Sequence, residues 1–301
     1  MTAVQVLEWV SRVAPLGIRF RDAATRKTVD DDLTAIVYPS AERELSTAAV
    51  INRAGIFVFR NIFGLHAFET ANGDNTRDFA GSDAFWNPVS PPARYDYTLE
   101  VRDPARRFLP FVLPVKLPQR SLLGIAFNSP LSSPLVGQTG GRGAFVPVFS
   151  APTRTVPEGM IGLRAEIVDT GTSPAGPREA AYAVIEAKAG DQPLVTGVAD
   201  QRGRILLPLP YPKPVITLGS MATTNVPLQD QTWTVDFTVR YRRRASVPEL
   251  PDLYDVLSQP VATAWQTTAL ITPWTQTTLE FGRELLLATQ GTVSHTLLIT
   301  P

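Results

Sequence analysis

The side chains of this sequence best suited to proton transfer or metal binding are its two histidines, His66 and His295. A general base needs a partner within hydrogen-bonding reach to orient it. His66 lies in Phe63-Gly64-Leu65-His66-Ala67-Phe68, where apolar neighbours point to a structural histidine. Neither histidine belongs to an HExxH pattern or a His/carboxylate cluster, so a zinc site is not expected. There is no cysteine, which removes disulfides, thiolate ligands and cysteine nucleophiles together. No GxSxG elbow presents a serine. The run Gly137-Gln138-Thr139-Gly140-Gly141-Arg142-Gly143 lacks the Lys-Ser/Thr of a phosphate-cradling loop. Asp30-Asp31-Asp32 and Asp74-Asn75-Thr76-Arg77-Asp78 offer oxygens to calcium without EF-hand spacing, and read as solvated turns. Arg240-Tyr241-Arg242-Arg243-Arg244 ends a run of alternating residues, which makes it a surface or interface patch rather than a nucleic-acid stripe. The expectation is no catalytic, cofactor-binding or metal-binding residue. One rival stays open, a hydrolase with a non-local Ser/His/Asp set and His66 or His295 as base.

The elements that would position any site are short strands. Twenty-seven prolines and 20 glycines are scattered through 301 residues, which breaks long helices and favours strands joined by turns. Residues 17–21, 33–38, 56–60, 95–102 and 108–115 are strand-length and rich in β-branched and aromatic residues. In 95–102, Tyr95, Tyr97, Leu99 and Val101 alternate with Asp96, Thr98, Glu100 and Arg102, predicting one buried and one wet face. A second set follows at 161–168, 181–187, 194–199, 204–209 and 232–241. The predicted fold class is all-β.

The two sets form an internal repeat. Gly17-Ile18-Arg19-Phe20-Arg21 matches Gly162-Leu163-Arg164-Ala165-Glu166, and Asn52-Arg53-Ala54-Gly55-Ile56 matches Asp200-Gln201-Arg202-Gly203-Arg204. The strand from Tyr95 to Arg102 likewise matches the one from Trp233 to Arg240. Asn52 or Asp200 can accept from the backbone two residues on, and Gly55 or Gly203 supplies the positive φ that reverses the chain. Each copy is therefore expected to carry a tight hairpin at these four residues.

Gly197-Val198-Ala199-Asp200-Gln201-Arg202-Gly203-Arg204-Ile205, and more loosely Ala48-Ala49-Val50-Ile51-Asn52-Arg53-Ala54-Gly55-Ile56, resemble the turn motif of carboxypeptidase regulatory-like, or transthyretin-like, domains. The first copy lacks the leading glycine and has Asn for Asp. The resemblance implies tandem Greek-key β-sandwich domains, a family used mostly as spacers, carriers and binding modules. The expected division is a first domain over 1–118, a linker over 119–157, a second domain over 158–245 and a C-terminal extension over 246–301. The linker is placed by its Ser-Pro and Gly-rich composition.

The C-terminal segment keeps apolar residues to its end, so Trp265, Trp274, Leu285, Leu297 and Ile299 are candidate interface residues. Lys+Arg and Asp+Glu both number 28, which argues against a whole-chain attraction to nucleic acid. The segment from Met1 to Val13 contains Glu8 and Arg12 and does not read as a signal peptide. No stretch approaches the roughly 20 apolar residues of a membrane span, and cytoplasmic synthesis is expected. Leu16-Gly17-Ile18-Arg19-Phe20-Arg21-Asp22, Arg107-Phe108-Leu109-Pro110-Phe111, Val148-Phe149-Ser150-Ala151-Pro152-Thr153-Arg154 and Leu206-Leu207-Pro208-Leu209-Pro210-Tyr211-Pro212 resemble uncharacterised proteins encoded with phage-tail-like contractile injection systems. That resemblance implies a structural or adaptor subunit whose partners are protein subunits, with self-association among them, inside a particle released from the cell. The alternative is a carbohydrate- or surface-ligand-binding module, with Trp86, Trp265 and Trp274 as its aromatics.

Overall fold

The structure, a computed structural model, describes residues 14–65, 95–119, 122–126, 135–136, 144–171, 176–213, 227–292 and 295–301. His66, Trp86, Asp74 to Asp78 and the glycine run at 137–143 lie outside the described residues. Strands dominate what is described, and the fold class is all-β. The chain separates into two compact units. One comprises Met1–Phe20, Thr28–Val101 and Val112–Val146; the other comprises Arg21–Lys27, Arg102–Phe111 and Pro147–Pro301. This division interleaves the chain, whereas composition alone placed a single linker at 119–157. That segment is not bare linker: Leu123, Ile125, Val146, Val148 and Phe149 are buried. Proline and glycine mark where a chain turns, and such turns also occur inside a packed unit.

The first unit contains β1 (Leu16–Ile18), β3 (Thr28–Val29), β4 (Thr34–Pro39), β5 (Thr47–Ala48), β6 (Val50–Ile51) and β7 (Phe57–Phe59). It continues through β8 (Tyr95–Arg102), β9 (Phe111–Leu117), β10 (Ile125–Ala126) and β11 (Leu135–Val136). The chain passes between the units at β2 (Phe20–Asp22) and β12 (Val146–Val148). Within the first unit the sheet orders are β1-β7-β6 and β5-β4-β8-β9. Leu16, Ile18, Phe57, Phe59, Leu99, Leu113 and Leu117 are buried, and Phe20 meets Phe57 edge-on at 4.8 Å between ring centroids. β8 alternates as predicted with two exceptions. Tyr95 at its start is half exposed, and Glu100 on the intended wet face is buried. Glu100 tolerates burial because Arg43 grips both its oxygens, at 2.8 and 2.9 Å.

The second unit contains β13 (Met160–Asp169), β14 (Arg178–Glu179), β15 (Val184–Ala189), β16 (Val195–Val198), β17 (Arg204–Pro210) and β18 (Thr232–Arg240). Its only described α-helix, α1 (Leu253–Leu257), is capped by Asp252, which accepts from the backbone N–H groups of Tyr254 and Asp255. Then follow β19 (Val261–Ala264), β20 (Gln276–Glu280), β21 (Leu285–Leu286) and β22 (Thr296–Thr300). The path runs β14-β13-β22-β19-β18-β15-β16, with β17 and β21 also on β13 and β20 also on β18. β22 lies parallel to β13 (Ile167 opposite Leu297) and antiparallel to β19 (Ala264 opposite Ile299). The last strand of the chain is thus an interior strand of its sheet.

Leu297 and Ile299 are fully buried in one core with Leu163, Ile167, Ile205, Leu207, Val235 and Phe237, and Leu285 joins them. This corrects the expectation that these three residues form an interface. Apolar residues at a chain end require burial, but sequence does not say against what, and here their own unit provides it. Leu279, also in this segment, is a core residue too.

The two units share a pairing pattern. In each, the strand after the Asx-x-x-Gly turn pairs with the early strand, β7 with β1 and β17 with β13. The long strands also have similar neighbours, β8-β4-β5 and β18-β15-β16, but β16 leads directly into its turn whereas β6, paired with β7, lies between β5 and the Asn52 turn. The register differs. Gly17 faces Val58, three residues past Gly55, while Gly162 faces Pro208, five residues past Gly203. A slip of two leaves every side chain on its original face, but β7 alternates buried and half-buried residues while β17 is buried along its whole interior.

Candidate functional site

Carboxylate and amide oxygens hold turns together in both units. The Asn52 side chain accepts from the N–H of Ala54 (2.9 Å) and Ile56 (3.0 Å). The Asn52 carbonyl accepts from Gly55, and its N–H donates to the Ile56 carbonyl. Asp200 repeats the scheme with Arg202 (2.8 Å) and Arg204 (3.0 Å), while the backbone of Asp200 bonds Gly203 and Arg204 in the same way. Gly55 and Gly203 have φ of +67° and +73°. Such oxygens satisfy backbone donors that a tight reversal leaves without a ladder partner.

A third copy escaped the sequence reading. Asp103 accepts from the N–H of Ala105 (3.2 Å), Arg107 (2.7 Å) and Phe108 (3.1 Å). Arg106 holds the positive-φ position here, at +56°. The glycine was the signal used to find the turn, so a copy with arginine in its place was invisible. The Arg107 guanidinium also donates to Asp103, as that of Arg204 does to Asp200.

Ion pairs gather near β18 and in the segments around Asp22. Arg154 donates to Asp22 (2.7 Å) and to the Ser150 hydroxyl (2.8 Å), and its guanidinium lies 4.6 Å from the Phe108 ring centroid. Burial alone would raise the Asp22 carboxyl. Hydrogen bonds from Arg154 and Thr25, the Arg154 charge and the Ala24 N–H outweigh that and hold it below the usual carboxylate value.

Each arginine of the 240–244 run has a carboxylate partner. Arg240 pairs with Glu186 (3.1 Å), Arg242 with Asp255 (3.0 Å), Arg244 with the same Asp255 (2.8 Å) and Arg243 with Asp169 (2.6 Å). Asp169 is fully buried, and Arg178 approaches the same oxygen at 3.7 Å. Burial would raise the Asp169 carboxyl. The Arg243 hydrogen bond, the Gly171 N–H and the charges of Arg243 and Arg178 together lower it. Gln259, also buried, donates to the carbonyls of Tyr182 and Val256 (both 2.8 Å) and accepts from the Arg242 N–H (2.8 Å) and from Arg244 (3.3 Å). Nothing in the spacing of Asp169, Tyr182, Asp255 and Gln259 announced that they meet, because long-range pairing brings them together.

The remaining candidates lie apart from this cluster's hydrogen bonds. Trp265 donates to the Thr300 hydroxyl (2.8 Å), and Trp274 meets Phe237 edge-on at 5.3 Å; both are half-buried. His295 is exposed. Tyr211, Trp233 and Phe281, which the sequence did not single out, form an aromatic trio with centroids 5.0 to 6.4 Å apart. No group of three or more His, Cys, Asp or Glu side chains suited to a metal ion occurs among the described residues.

Comparison with family models, curated proteins and solved structures finds no match to this chain.

Proposed function

We propose that the protein is a non-enzymatic structural or adaptor subunit of a larger assembly, built from two tandem transthyretin-like Greek-key β-sandwich units. The repeated pairing pattern and the matching Asx turns support the duplication. The observation that carries an assembly role is the edge formed by β6. This strand ends the order β1-β7-β6, and its Val50 and Ile51 are 72% and 39% exposed. An apolar strand paired on one side among the described residues is a template for adding a strand from another chain. The resemblance of the sequence to proteins of phage-tail-like contractile injection systems makes such a particle the proposed setting, with protein subunits and further copies of itself as partners.

Light scattering after size exclusion, together with pull-down of co-encoded proteins, tests this reading. Val50→Lys should leave the fold intact and weaken association. An unchanged mass and an unchanged set of captured proteins would defeat it.

A second reading, a carbohydrate- or surface-ligand-binding module, draws on the partly exposed trio of Tyr211, Trp233 and Phe281. Glycan-array binding that is lost in Trp233→Ala would favour it.

A further inference from the structure

The guanidinium groups around Asp169 outnumber the carboxylates available to them. Arg178 and Arg243 share Asp169, and Arg242 and Arg244 share Asp255. Even with Asp252 acting on Arg244 as well, four guanidiniums outnumber the carboxylates beside them. The nearby Glu186 is engaged by Arg240 (3.1 Å). The excess shows in the hydrogen bonding. Among the described residues, Arg178 Nε and Arg243 Nη2 are buried donors without an acceptor. Asp169 does not complete them in this geometry: its Oδ2 takes Arg243 Nε at 2.6 Å and stands 3.7 Å from Arg178 Nε, and its Oδ1 takes the Gly171 N–H at 2.8 Å. A buried charged donor without a partner is costly, and native proteins rarely leave one so. Here two such donors belong to neighbouring guanidiniums that flank one carboxylate.

We propose that this cluster is a binding site for a small tetrahedral oxyanion of the phosphate or sulfate kind, held between Arg178 and Arg243. Planar guanidinium forks match the paired oxygens of such an ion better than a spherical halide. The two orphan donors lie below the protein surface, which suits a small ion rather than a macromolecular face. Access comes past Arg178, whose side chain is 36% exposed. The bound ion would satisfy both donors and remove most of the excess charge while leaving the Asp169 pairing in place. Its structural effect would be to tie β13, β14 and the segment after β18 together, since Asp169, Arg178 and Arg243 come from these three places.

The test is thermal unfolding of the full chain in inorganic phosphate, in sulfate and in chloride at matched ionic strength. An ion that binds only the folded state raises the midpoint with its concentration. Phosphate and sulfate should raise the midpoint and chloride should not, with saturation at a single site by titration calorimetry. Arg243→Gln strands a buried carboxylate and is expected to damage folding, so Arg178→Gln carries the experiment. It keeps the 2.6 Å Arg243–Asp169 bond and should weaken phosphate binding by about tenfold. Arg283→Gln, which removes the same charge at a 77% exposed position, should bind like wild type. Equal effects of phosphate and chloride would overturn the proposal, as would phosphate binding unaltered in Arg178→Gln.

Discussion

The turn at Asn52 and the turn at Asp200 have one hydrogen-bond scheme and two environments. The first closes a hairpin whose strand β6 and residues Asn52 to Ala54 are exposed. The second is built into its unit: the Gly203 carbonyl accepts from Ile167 (2.8 Å), and Asp200 accepts from the Tyr182 N–H (3.2 Å). A Cβ at Gly203 would stand 2.4 Å from the Ile167 carbonyl oxygen, whereas one at Gly55 would meet nothing nearer than the Asp30 side chain at 3.2 Å. Identical local chemistry therefore carries different structural weight. What differs is the material around the turn: Ile167, Ala180 and Tyr182 close on Gly203 and Asp200, and the strand that carries Ile167 is itself paired by β21 and β22 from the last part of the unit.

The strongest way to break this comparison is to remove residues 246–301. Four strands, β19 to β22, and the core residues Leu279, Leu285, Leu287, Leu297 and Ile299 go with them. The expected result is an unfolded second unit, seen as loss of its amide-exchange protection while β1 and β7 stay protected. If the truncated chain keeps the protection of β13 and β17, the Asp200 turn does not depend on that scaffold.

A gentler probe is valine at the two glycines. Gly203→Val combines positive-φ strain with a clash against fixed backbone and should cost about 3 kcal/mol or more. Gly55→Val carries the strain and a yielding side-chain contact, at about 1–3 kcal/mol. Equal losses in denaturant unfolding would remove the distinction between the two environments.

Acid offers a further contrast within the second unit. Asp22 and Asp169 both have lowered carboxyl values when folded. Their contribution is present above the unfolded value near 4 and is lost as pH falls below it toward the lowered folded values. Thermal midpoints between about pH 5 and pH 2 should fall, and Asp169→Asn should flatten that dependence. An unflattened profile would assign the acid sensitivity to other carboxylates.

The smallest effect is expected from Asp200→Asn, which converts the second turn into the chemistry of the first. The backbone acceptor survives and only the Arg204 pair is lost. Arg204 is 43% exposed, so the cost should be about 0–1 kcal/mol. A larger loss would mean that the Asp200 charge, and not its geometry, holds the turn.

Much of the local structure was legible in the sequence. The strands at 95–102 and 232–241 follow from alternation, which needs only neighbours. Asn52, Gly55, Asp200 and Gly203 sit in turns because an Asx oxygen and a residue free to take positive φ close a reversal within five residues. Even the buried Glu100 departs from its pattern only because Arg43, far off in sequence, reaches it.

The tertiary structure alone decided the rest. Alternation tells a strand which face to bury but not which strand to pair with, so Leu297 and Ile299 looked like surplus apolar surface. They are interior because β22 is paired on both sides, antiparallel to β19 and parallel to β13 across more than a hundred residues of chain. The same holds for the arginine run. Its composition announced a basic patch. Which carboxylate each guanidinium meets, and which two donors are left over, depends on where Asp169, Glu186 and Asp255 arrive when the sheets close. Charge attracts at a distance without choosing a partner; the backbone path makes that choice.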